Sequence, residues 1–465
     1  MTAATPAGVL LRNAAVVGAE VVDVLLEGGI VAAIARAGAW AGDAGHWAGY
    51  RMLDCGGAAV LPGLHDHHVH LLASAAAADS LRCGPPEVAD RDELTTVLRQ
   101  APVVAGWVRG VGYHESVAGM LDAPALDRVR ADVPVRVQHR SGALWMLNSA
   151  GLAAVAAAGA DASGIERDEG GHPVGRLWRL DGWLRDRIGQ RPVDLADLSR
   201  RLAGYGITGV TDATPDLAPS SVALLTGGAL AQHVTLLGDP AGSAPFKIVL
   251  GDHDLPSFDA LAESVRALRP RAVALHSVTR TSLLLALAVL ADVGAVRGDR
   301  VEHAAVAPPE AVGALARLGV AVVTQPSLPA LRGDDYLDRV EAGDLPYLWP
   351  YRSLLDAGVA VACSSDAPYG CLDPWTSIAA AVQRRAPSGR EVTATERVDA
   401  GTALRGYLGA PEDPGGRERR VVPGAPADLA VLDRPLGAAL ADPAAVRVRA
   451  TLIEGRIVAG EEVFA

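Results

Sequence analysis

The pattern of apolar and polar positions divides the chain into two similar ends and a different middle. Short runs of alternating apolar residues, broken by glycine, fill residues 8–60, and the same texture returns at 428–433 and 446–460. Alternation over a few residues, with glycine between the runs, predicts half-buried β-strands. Because both ends share this pattern, we predict one small β-sandwich assembled from residues 1–58 and 413–465.

The middle of the chain alternates β-rich apolar runs with amphipathic segments of helix length. Most of the later runs are separated by one such segment, as at 259–270 and 308–319. Eight buried strands with helical crossovers predict an α/β fold, a (β/α)8 TIM barrel over residues 59–412, rather than an open sheet. The eight runs are residues 59–68, 133–139, 207–212, 246–250, 272–276, 300–304, 320–325 and 359–366.

The first three runs are too far apart in the sequence for single crossovers. We therefore predict insertions at about 73–132 and 142–196 that together form a lid. Trp107, Tyr113, His114 and Trp145 fall in these insertions and are candidate pocket-lining residues. Ordinary packing in a local core is the alternative interpretation of these side chains.

The amino-acid composition favours a cytoplasmic location and disfavours nucleic acid and membranes as partners. The 465 residues are 50% hydrophobic and carry a formal net charge of −12, which disfavours binding to nucleic acid or an anionic membrane surface. The four cysteines form no CxxC pair and no disulfide framework, as expected in a reducing cytosol. The N-terminus lacks a signal-peptide pattern, and the longest apolar stretch is about half of the ~20 residues that span a bilayer. We expect a soluble cytoplasmic protein that acts on a small molecule.

A single lysine, Lys247, stands among 41 arginines. A coding bias toward arginine should not spare one position, so this residue is a candidate for chemistry that a guanidinium group cannot perform. A neutral lysine amine reacts with carbon dioxide to give an anionic carbamate whose two oxygens can bridge two metal ions, whereas arginine stays protonated. The competing interpretation is a chance lysine at the start of a strand.

In a barrel of this type, the catalytic side chains come from the carboxyl ends of the strands. The predicted strands carry four imidazoles, one amine and one carboxylate toward that end, a set that suits zinc or a similar divalent cation. Alternate residues of a strand point the same way, so the two histidines of the first run can hold one ion together. The predicted metal-binding residues are His68, His70, Lys247, His276, His303 and Asp366.

Other polar residues are assigned elsewhere. The predicted substrate-binding residues are His139, His114, Trp107, Trp145 and Gln325, and a hydrogen-bonded strand-end histidine is the alternative for His139. His65 and His67 are left out of the metal site because they face the other side of the strand or lie earlier in it. Surface positions in loops or in the sandwich are predicted for His46, His172, His233 and His253.

The motifs that carry these residues resemble the amidohydrolase superfamily. Residues 62–70, PGLHDHHVH, match its PGxxDxHxH signature, while 300–303, RVEH, and 365–368, SDAP, resemble its strand-six RxEH and strand-eight SDxP segments. Residues 206–212 and 423–429 resemble its strand-three segment and the GxxADL that re-enters the sandwich. The chain is most similar to the branch of N-substituted formamide deformylases and related metal-dependent amide hydrolases, which shares the long insertion and an Asn-Ser pair, here Asn148-Ser149.

This resemblance implies hydrolysis of a non-peptide C–N bond in an amide, formamide or cyclic amide. Of two metal ions, the more buried would lie at His68 and His70 and the second at His276 and His303, with a carboxylated Lys247 between them. Asp366 would ligate the buried ion and act as the general base for a hydroxide that the metal activates. The implied cofactors are one or two divalent ions per chain, above all zinc, and carbon dioxide for the carbamate. A homodimer is common among such barrels.

Departures from the branch leave the substrate open. The Gly-His that usually precedes the Asn-Ser pair is Gly142-Ala143 here, and the Gly-Asp that usually follows the strand-five histidine is replaced by Ser277-Val278. The Asp-Gly common after the strand-four lysine is Gly251-Asp252. None of these positions is an inferred ligand, but all fall where substrate would be held. Two alternatives remain: a mononuclear deaminase of an aminated heterocycle, which needs no lysine, and a non-catalytic barrel that serves as a binding module.

Overall fold

The computed structural model describes residues 7–16, 20–40, 47, 49–78, 80–157, 159–160, 162–188 and 193–464. The chain divides into two compact units, one made of Met1–Leu71 with Leu195–Ala465 and the other of Leu72–Asp194. Each unit has its own sheets and its own core. The predicted metal ligands all belong to the first unit.

The strands of the described chain are short, and most are buried. In chain order, β1 to β6 are Gly8–Val16, Val21–Glu27, Ile30–Arg36, Tyr50–Asp54, Ala59–Pro62 and Leu64–Val69. Strands β7 to β12, in the second unit, are Leu81–Arg82, Val108–Tyr113, Val135–His139, Leu144–Leu147, Ile165–Arg167 and Pro173–Trp178. Strands β13 to β19 are Ile207–Asp212, His233–Leu236, Phe246–Val249, Val273–Ser277, Arg300–His303, Ala321–Thr324 and Val361–Cys363. The last three, β20 to β22, are Leu429–Leu432, Val448–Ile453 and Arg456–Ala459.

The helices connect these strands. Helices α1 to α8 are Leu71–Ala78, Arg91–Gln100, Glu115–Ala118, Ala123–Val129, Ser149–Ala154, Asp181–Ile188, Leu195–Gly204 and Pro219–Thr226. Helices α9 to α16 are Phe258–Leu268, Arg280–Val293, Pro309–Leu318, Ser327–Arg339, Tyr351–Asp356, Pro374–Gln383, Ala400–Arg405 and Leu436–Ala441. Short 3₁₀ helices lie at Leu345–Tyr347, Ala394–Glu396, Pro443–Ala445 and Glu461–Val463. Among the described residues, no helix combines the length and the apolar composition needed to cross a bilayer.

Local sequence explains where the longer helices start and stop. The Ser257 side chain caps α9 by accepting a hydrogen bond from the Ala260 backbone N–H. Thr279 and Ser282 form a reciprocal capping box at the start of α10. Helix α11 ends at Gly319, whose left-handed φ of 65° suits glycine. The first two caps set the start of the helices that follow β15 and β16, the strands that carry Lys247 and His276.

Strands from both chain ends form one eight-stranded sheet. Its order is β22-β21-β20-β5-β1-β2-β3, and β4 also pairs with β1. Buried apolar side chains from both ends, among them Leu11, Val24, Val60 and Leu452, pack into one core cluster. The two chain ends therefore share one sheet, while the sandwich and its bounds at 58 and 413 stay a prediction.

The first predicted run, residues 59–68, is two strands rather than one. Strand β5 belongs to the terminal sheet, where it pairs with β1 and β20, and β6 starts a different sheet. Gly63 separates the two strands, and its N–H donates to the Asp428 carbonyl at 2.7 Å. A Cβ at Gly63 would lie 2.1 Å from Cγ2 of Thr208, so a larger residue cannot occupy this crossing point.

The remaining strands of the first unit are eight parallel strands. They form two sheets, ordered β14-β13-β6 and β15-β16-β17-β18-β19. Every pairing within them is parallel, and β6, β13 and β17 are buried along their whole length. Such continuous burial is expected of parallel strands that are covered on both faces.

Backbone hydrogen bonds also join the two parallel sheets to each other. At one edge, the Lys247 N–H on β15 donates to the Leu237 carbonyl just beyond β14, at 2.9 Å. At the other edge, the Asp366 N–H beyond β19 donates to the His68 carbonyl on β6, at 2.8 Å. The first bond joins β15 to the end of β14, and the second joins the segment after β19 to β6.

The second unit corrects one strand assignment. Residues 133–139, predicted as the second barrel strand, give β9, which pairs with β8 and β10 in the separate six-stranded sheet β11-β12-β10-β9-β8-β7. That prediction is wrong: β13 pairs directly with β6, and the eighth parallel strand is β14, His233–Leu236, on the other side of β13. The two predicted insertions and the run between them fall in the one unit Leu72–Asp194, apart from residues 195 and 196.

Candidate metal centre

The side chains predicted as metal ligands form one cluster of contacts in the first unit. Five of them lie at or just beyond the carboxyl ends of β6, β16, β17 and β19. The sixth, Lys247, is the second residue of β15 and is 4% exposed. The ends of parallel strands meet at one edge, which is why residues 298 positions apart in the sequence come together here.

His68, His70 and Asp366 converge around one point. Oδ1 of Asp366 lies 3.4 Å from Nε2 of His68 and 3.4 Å from Nε2 of His70. One donor atom from each of the three residues lies within 4.8 Å of the other two. Two imidazoles and a carboxylate in this arrangement fit a divalent metal ion such as zinc.

Glu302 fixes the orientation of His68 from behind. The Nδ1–H of His68 donates to Oε2 of Glu302, and both side chains are fully buried. Nη2 of Arg300 donates to the same carboxylate at 3.0 Å and balances its charge. Because Nδ1 carries the proton, Nε2 presents its lone pair toward Asp366, which is the arrangement that metal-binding histidines show.

His276 and His303 form a second pair beside the first. Nε2 of His303 lies 2.9 Å from Nδ1 of His276, and the ring centroids of His303 and His68 are 5.0 Å apart. Burial lowers the pKa of His68, His276 and His303 below the ordinary value of 6.5. All three are therefore neutral at pH 7, the form in which an imidazole binds a metal.

Lys247 lies against the first histidine. Its Nζ is 3.3 Å from Nε2 of His68. Burial lowers the pKa of Lys247, and this effect outweighs the nearby carboxylates of Glu302 and Asp366, which favour the charged form. Burial of an amine therefore works against its protonation at this position.

The backbone of Asp366 has an unfavourable conformation, and a hydrogen bond to the His68 carbonyl stabilises it. Its φ is 50°, and His303 on the facing strand has a φ of 75°, both unusual for residues other than glycine. Burial alone would raise the pKa of Asp366, but the hydrogen bond with His70 and the neighbouring His68 and His303 lower it overall. The carboxylate is therefore ionised, as a metal ligand or general base must be.

Asp66 was not singled out in the sequence, and it connects the two edges of the site. Its Oδ1 accepts from the Ser365 N–H at 3.0 Å and from the His68 N–H at 3.2 Å, and Oδ2 accepts from the Ser365 hydroxyl. Burial raises the pKa of Asp66 to about 6, against the lowering effect of the bonds from Ser365. Asp66 and Glu302 both lie in the sequence motifs described above. Neither motif indicates which residues would form hydrogen bonds with these carboxylates.

Two further residues lie next to His70. The hydroxyl of Thr214 is 3.4 Å from Nδ1 of His70, and the ring of Tyr369 packs edge-on against the imidazole with centroids 5.4 Å apart. Tyr369 lies in the turn that follows Asp366, and its carbonyl accepts from Nη2 of Arg332 on α12 at 2.7 Å. The turn that carries the metal-facing carboxylate is therefore tied to a helix.

The predicted substrate-binding aromatics lie in the second unit and pack within it. Trp145 is 4% exposed and belongs to a core cluster with Trp107 at its margin. The guanidinium group of Arg136 lies 5.7 Å from the Trp107 ring and 5.2 Å from the Trp145 ring. Nε1 of Trp145 donates to Asp181 at 2.8 Å. These contacts support local core packing, and a substrate-binding role stays a prediction.

His114 and His139 meet at one carboxylate of the second unit. Oε2 of Glu115 lies 3.4 Å from Nε2 of His114 and 3.0 Å from Nε2 of His139. Each imidazole also contacts a serine hydroxyl through Nδ1, that of Ser116 or that of Ser141. Their roles toward substrate stay predictions.

Gln325, the other predicted substrate-binding residue, has a different set of contacts. It is fully buried just beyond β18, and its amide bonds to His303, to the Val323 carbonyl of β18 itself and to the Ser364 hydroxyl beyond β19. These partners place Gln325 behind a predicted metal ligand. Its role in substrate binding stays a prediction.

The remaining histidines divide into three groups. His172 and His253 are exposed, as predicted, and His46 lies outside the described residues. His233 is half-exposed, and its Nε2 pairs with Oδ2 of Asp428 at 3.0 Å. His65 and His67 are buried with ring centroids 4.5 Å apart, and neither contacts the metal-facing atoms.

Histidines and a carboxylate at the ends of parallel strands form a candidate metal centre in an α/β fold, and sequence comparison gives the family of the chain. The model of the Amidohydrolase family matches residues 51–459, so the chain belongs to that family. It is an enzyme that hydrolyses carbon–nitrogen bonds other than peptide bonds.

Individual relatives agree with this placement. An N-substituted formamide deformylase of Arthrobacter pascens is 29% identical over 516 aligned residues, covering 93% of this chain and 94% of the relative. A metal-dependent hydrolase of Pyrococcus horikoshii has a similar fold, with a TM-score of 0.70 at 18% identity over 97% of this chain and 99% of that one. N-isopropylammelide isopropylaminohydrolase of Burkholderia multivorans matches with a TM-score of 0.53 at 17% identity over 97% of each chain.

Proposed function

We propose that this enzyme hydrolyses the C–N bond of an amide, formamide or cyclic amide at a binuclear metal site bridged by a carbamate on Lys247. The observation that carries this proposal is the placement of the chain's single lysine, buried and 3.3 Å from Nε2 of His68. A permanent ammonium at that position would repel a metal ion and has no lone pair to donate. A carbamate has the opposite charge and two oxygen donors.

The donor set divides naturally between two ions. His68, His70 and Asp366 would hold the more buried ion, and His276 with His303 would hold the second. Imidazole and carboxylate donors favour zinc among the divalent ions. When bound, such ions polarise a carbonyl group and lower the pKa of water toward ~7. Burial lowers the pKa of the Lys247 amine, and this shift is in the direction of the neutral form that reacts with carbon dioxide.

The chain's own residues manage the protons of the reaction. Asp366 is ionised, so its Oδ1 can accept a proton from the attacking water as the new C–O bond forms. The same carboxyl group then passes that proton to the leaving nitrogen as the C–N bond breaks. His70 restrains this oxygen at 3.4 Å, and the Asp366 N–H is tied to the His68 carbonyl, so the base keeps a fixed position.

Formamides are the substrate class that we propose first. The name of the Arthrobacter pascens relative, N-substituted formamide deformylase, supports this choice over nearly the whole chain. We also propose that the eight parallel strands close into a (β/α)8 barrel. The hydrogen bonds of Lys247 to Leu237 and of Asp366 to His68 support closure, because they link both edges of the two sheets.

Metal analysis of Lys247 variants tests the proposal. The wild-type chain should hold two divalent ions and hydrolyse at least one member of a panel of N-substituted formamides, anilides and lactams. Lys247→Ala and Lys247→Arg should both lose an ion and at least 100-fold in kcat, because neither side chain forms a carbamate. Ile248→Ala, on the same strand, is the matched control and should keep both ions.

Two results would contradict the binuclear site. Full activity of Lys247→Arg would show that the lysine has no special chemistry. One ion per chain, with full activity of Lys247→Ala, would instead favour the mononuclear deaminase, which release of ammonia from aminated heterocycles would identify.

A further inference from the structure

Gln325 holds an unusually constrained position directly behind His303. It follows β18 and is fully buried. Its Oε1 lies 2.7 Å from Nδ1 of His303. Its Nε2 lies 3.2 Å from the carbonyl oxygen of Val323 and 2.9 Å from Oγ of Ser364. Both N–H groups of the amide and its oxygen therefore have protein partners.

The orientation of this amide follows from the chemistry of its partners. A backbone carbonyl can only accept a hydrogen bond, so the atom that faces Val323 must be the NH2 group. The Ser364 hydroxyl lies 3.2 Å from the carbonyl of Thr324, to which it donates, and it can therefore accept from the same NH2 group. Turning the amide over would place two oxygens against each other. The atom that faces His303 is consequently the oxygen.

This orientation determines which nitrogen of His303 carries the proton. An amide oxygen only accepts, so Nδ1 of His303 must be the N–H nitrogen. Nε2 of the neutral ring then presents a lone pair, and it is the atom that lies 2.9 Å from Nδ1 of His276. The carboxylate of Glu302 imposes the same protonation on His68.

We infer that Gln325 is a positioning residue that holds His303 as its Nδ1–H tautomer, with Nε2 ready to bind the second metal ion. The tautomer of His303 is inferred from the hydrogen bonds alone. The consequence for binding of a second metal ion rests on the proposed binuclear function. Gln325 does not touch the reacting atoms. It acts through His303, as partners behind metal-binding histidines do.

Two substitutions separate the acceptor from the shape of the side chain. Gln325→Met keeps the length of the side chain but removes the acceptor, and we expect about 10- to 100-fold weaker binding of one of the two zinc ions. Gln325→Glu keeps an acceptor for Nδ1, and its protonated carboxyl group can donate to Val323, so we expect it to restore most of the affinity. Ser364→Ala, which leaves the bond to His303 intact, is the matched control and should bind zinc nearly as the wild type does.

Zinc affinity, measured by competition with a chromophoric chelator, is the primary readout. Equal zinc affinity in Gln325→Met and the wild type would overturn the inference, as would an equal loss in Gln325→Glu and Gln325→Met. A wild-type chain that binds no second zinc ion would count against the proposed function instead.

A second measurement does not depend on any Gln325 variant. In metal-free, ¹⁵N-histidine-labelled wild-type protein, the signals that disappear in His303→Gln should show a proton on Nδ1 and none on Nε2. A proton on Nε2 would overturn the inference even if Gln325→Met fails to fold or the wild type binds a single ion.

Discussion

The Nδ1–H of His68 donates to Oε2 of Glu302, and both side chains are completely shielded from solvent. The two residues are 234 positions apart in the sequence, and Arg300 donates to the same carboxylate of Glu302 and balances its charge. Glu302 therefore has two tasks, since it orients a metal-facing imidazole and balances a buried guanidinium group. Removing the charge of Glu302 should therefore affect both the orientation of His68 and the stability of buried Arg300.

We predict that Glu302→Gln weakens zinc binding by about 10- to 100-fold, because a neutral amide is a poorer acceptor for His68. It should also lower the free energy of unfolding by about 3 kcal/mol, because the charge of Arg300 loses its buried partner. Chelator competition and urea unfolding measure the two effects. Glu310→Gln, at an exposed position on α11, serves as the control. Wild-type zinc affinity in Glu302→Gln would show that the carboxylate does not control His68.

Arg384 is a buried cation that stabilises the fold without taking part in the metal site. It ends α14, is 2% exposed, and donates to four neutral acceptors: the carbonyls of Leu348, Trp349 and Val392 and the hydroxyl of Thr393. Burial lowers the pKa of Arg384 to about 10. The planar guanidinium group reaches all four acceptors at once, which a lysine ammonium cannot do.

Arg384→Lys should therefore lower the free energy of unfolding by about 2–4 kcal/mol, because several buried acceptors lose their donor. Zinc content should stay at the wild-type value. The neighbouring Arg385 has a side chain that is 54% exposed, so Arg385→Lys should leave stability nearly unchanged. Urea unfolding of the two variants makes the comparison, and equal stability of both would mean that the buried hydrogen bonds contribute little.

The sequence predicted the parallel α/β fold and the donor set because both depend on short-range patterns. Strand ends that carry histidine or aspartate can be recognised from a few residues, and His68, His70 and Asp366 do converge. The second strand was assigned wrongly because residues 133–139 alternate as a strand should, and β9 is a strand, but of another sheet. The strand that was missed, His233–Leu236, contains two polar residues and buries only Leu236, so it does not form an apolar run.

Long-range partners account for what the sequence missed at the site. The RVEH segment displays Glu302, but nothing near it in the sequence indicates that its carboxylate contacts His68. Gln325 stands at a strand end, where a polar residue can face either substrate or a neighbouring ligand. The orientation of Gln325 depends on the packing of β18 between β17 and β19. This packing brings His303 and Ser364 to opposite sides of the Gln325 amide.

His233 and Asp428 form an ion pair away from the metal site, and we predict that this pair makes the stability of the fold depend on pH. Nε2 of His233 lies 3.0 Å from Oδ2 of Asp428, whose other oxygen accepts from the Glu454 N–H at 2.7 Å. The hydrogen bond to Asp428 raises the pKa of His233 above 6.5, against burial and the charge of Arg419, which lower it. The bond thus joins the start of β14 to the loop before β20.

The sign of the effect follows from the raised pKa. A histidine with a higher pKa in the folded state contributes its full stabilisation below pH 6.5, and the contribution is lost as the pH rises through the folded-state pKa. His233→Gln should therefore reduce the free energy of unfolding most below pH 6.5 and least once the pH has risen above the folded-state pKa of His233. His172→Gln, at a side chain that is 81% exposed, is the control.

Urea unfolding of the wild type and both variants at several pH values decides the matter. Asp428→Asn should remove the same pH dependence as His233→Gln, because the stabilisation needs both charges. A stability difference between the wild type and His233→Gln that stays constant from pH 5.5 to about pH 8.5 would mean that His233 contributes by packing alone. Zinc content should not change in either variant, since neither residue contacts the predicted ligands.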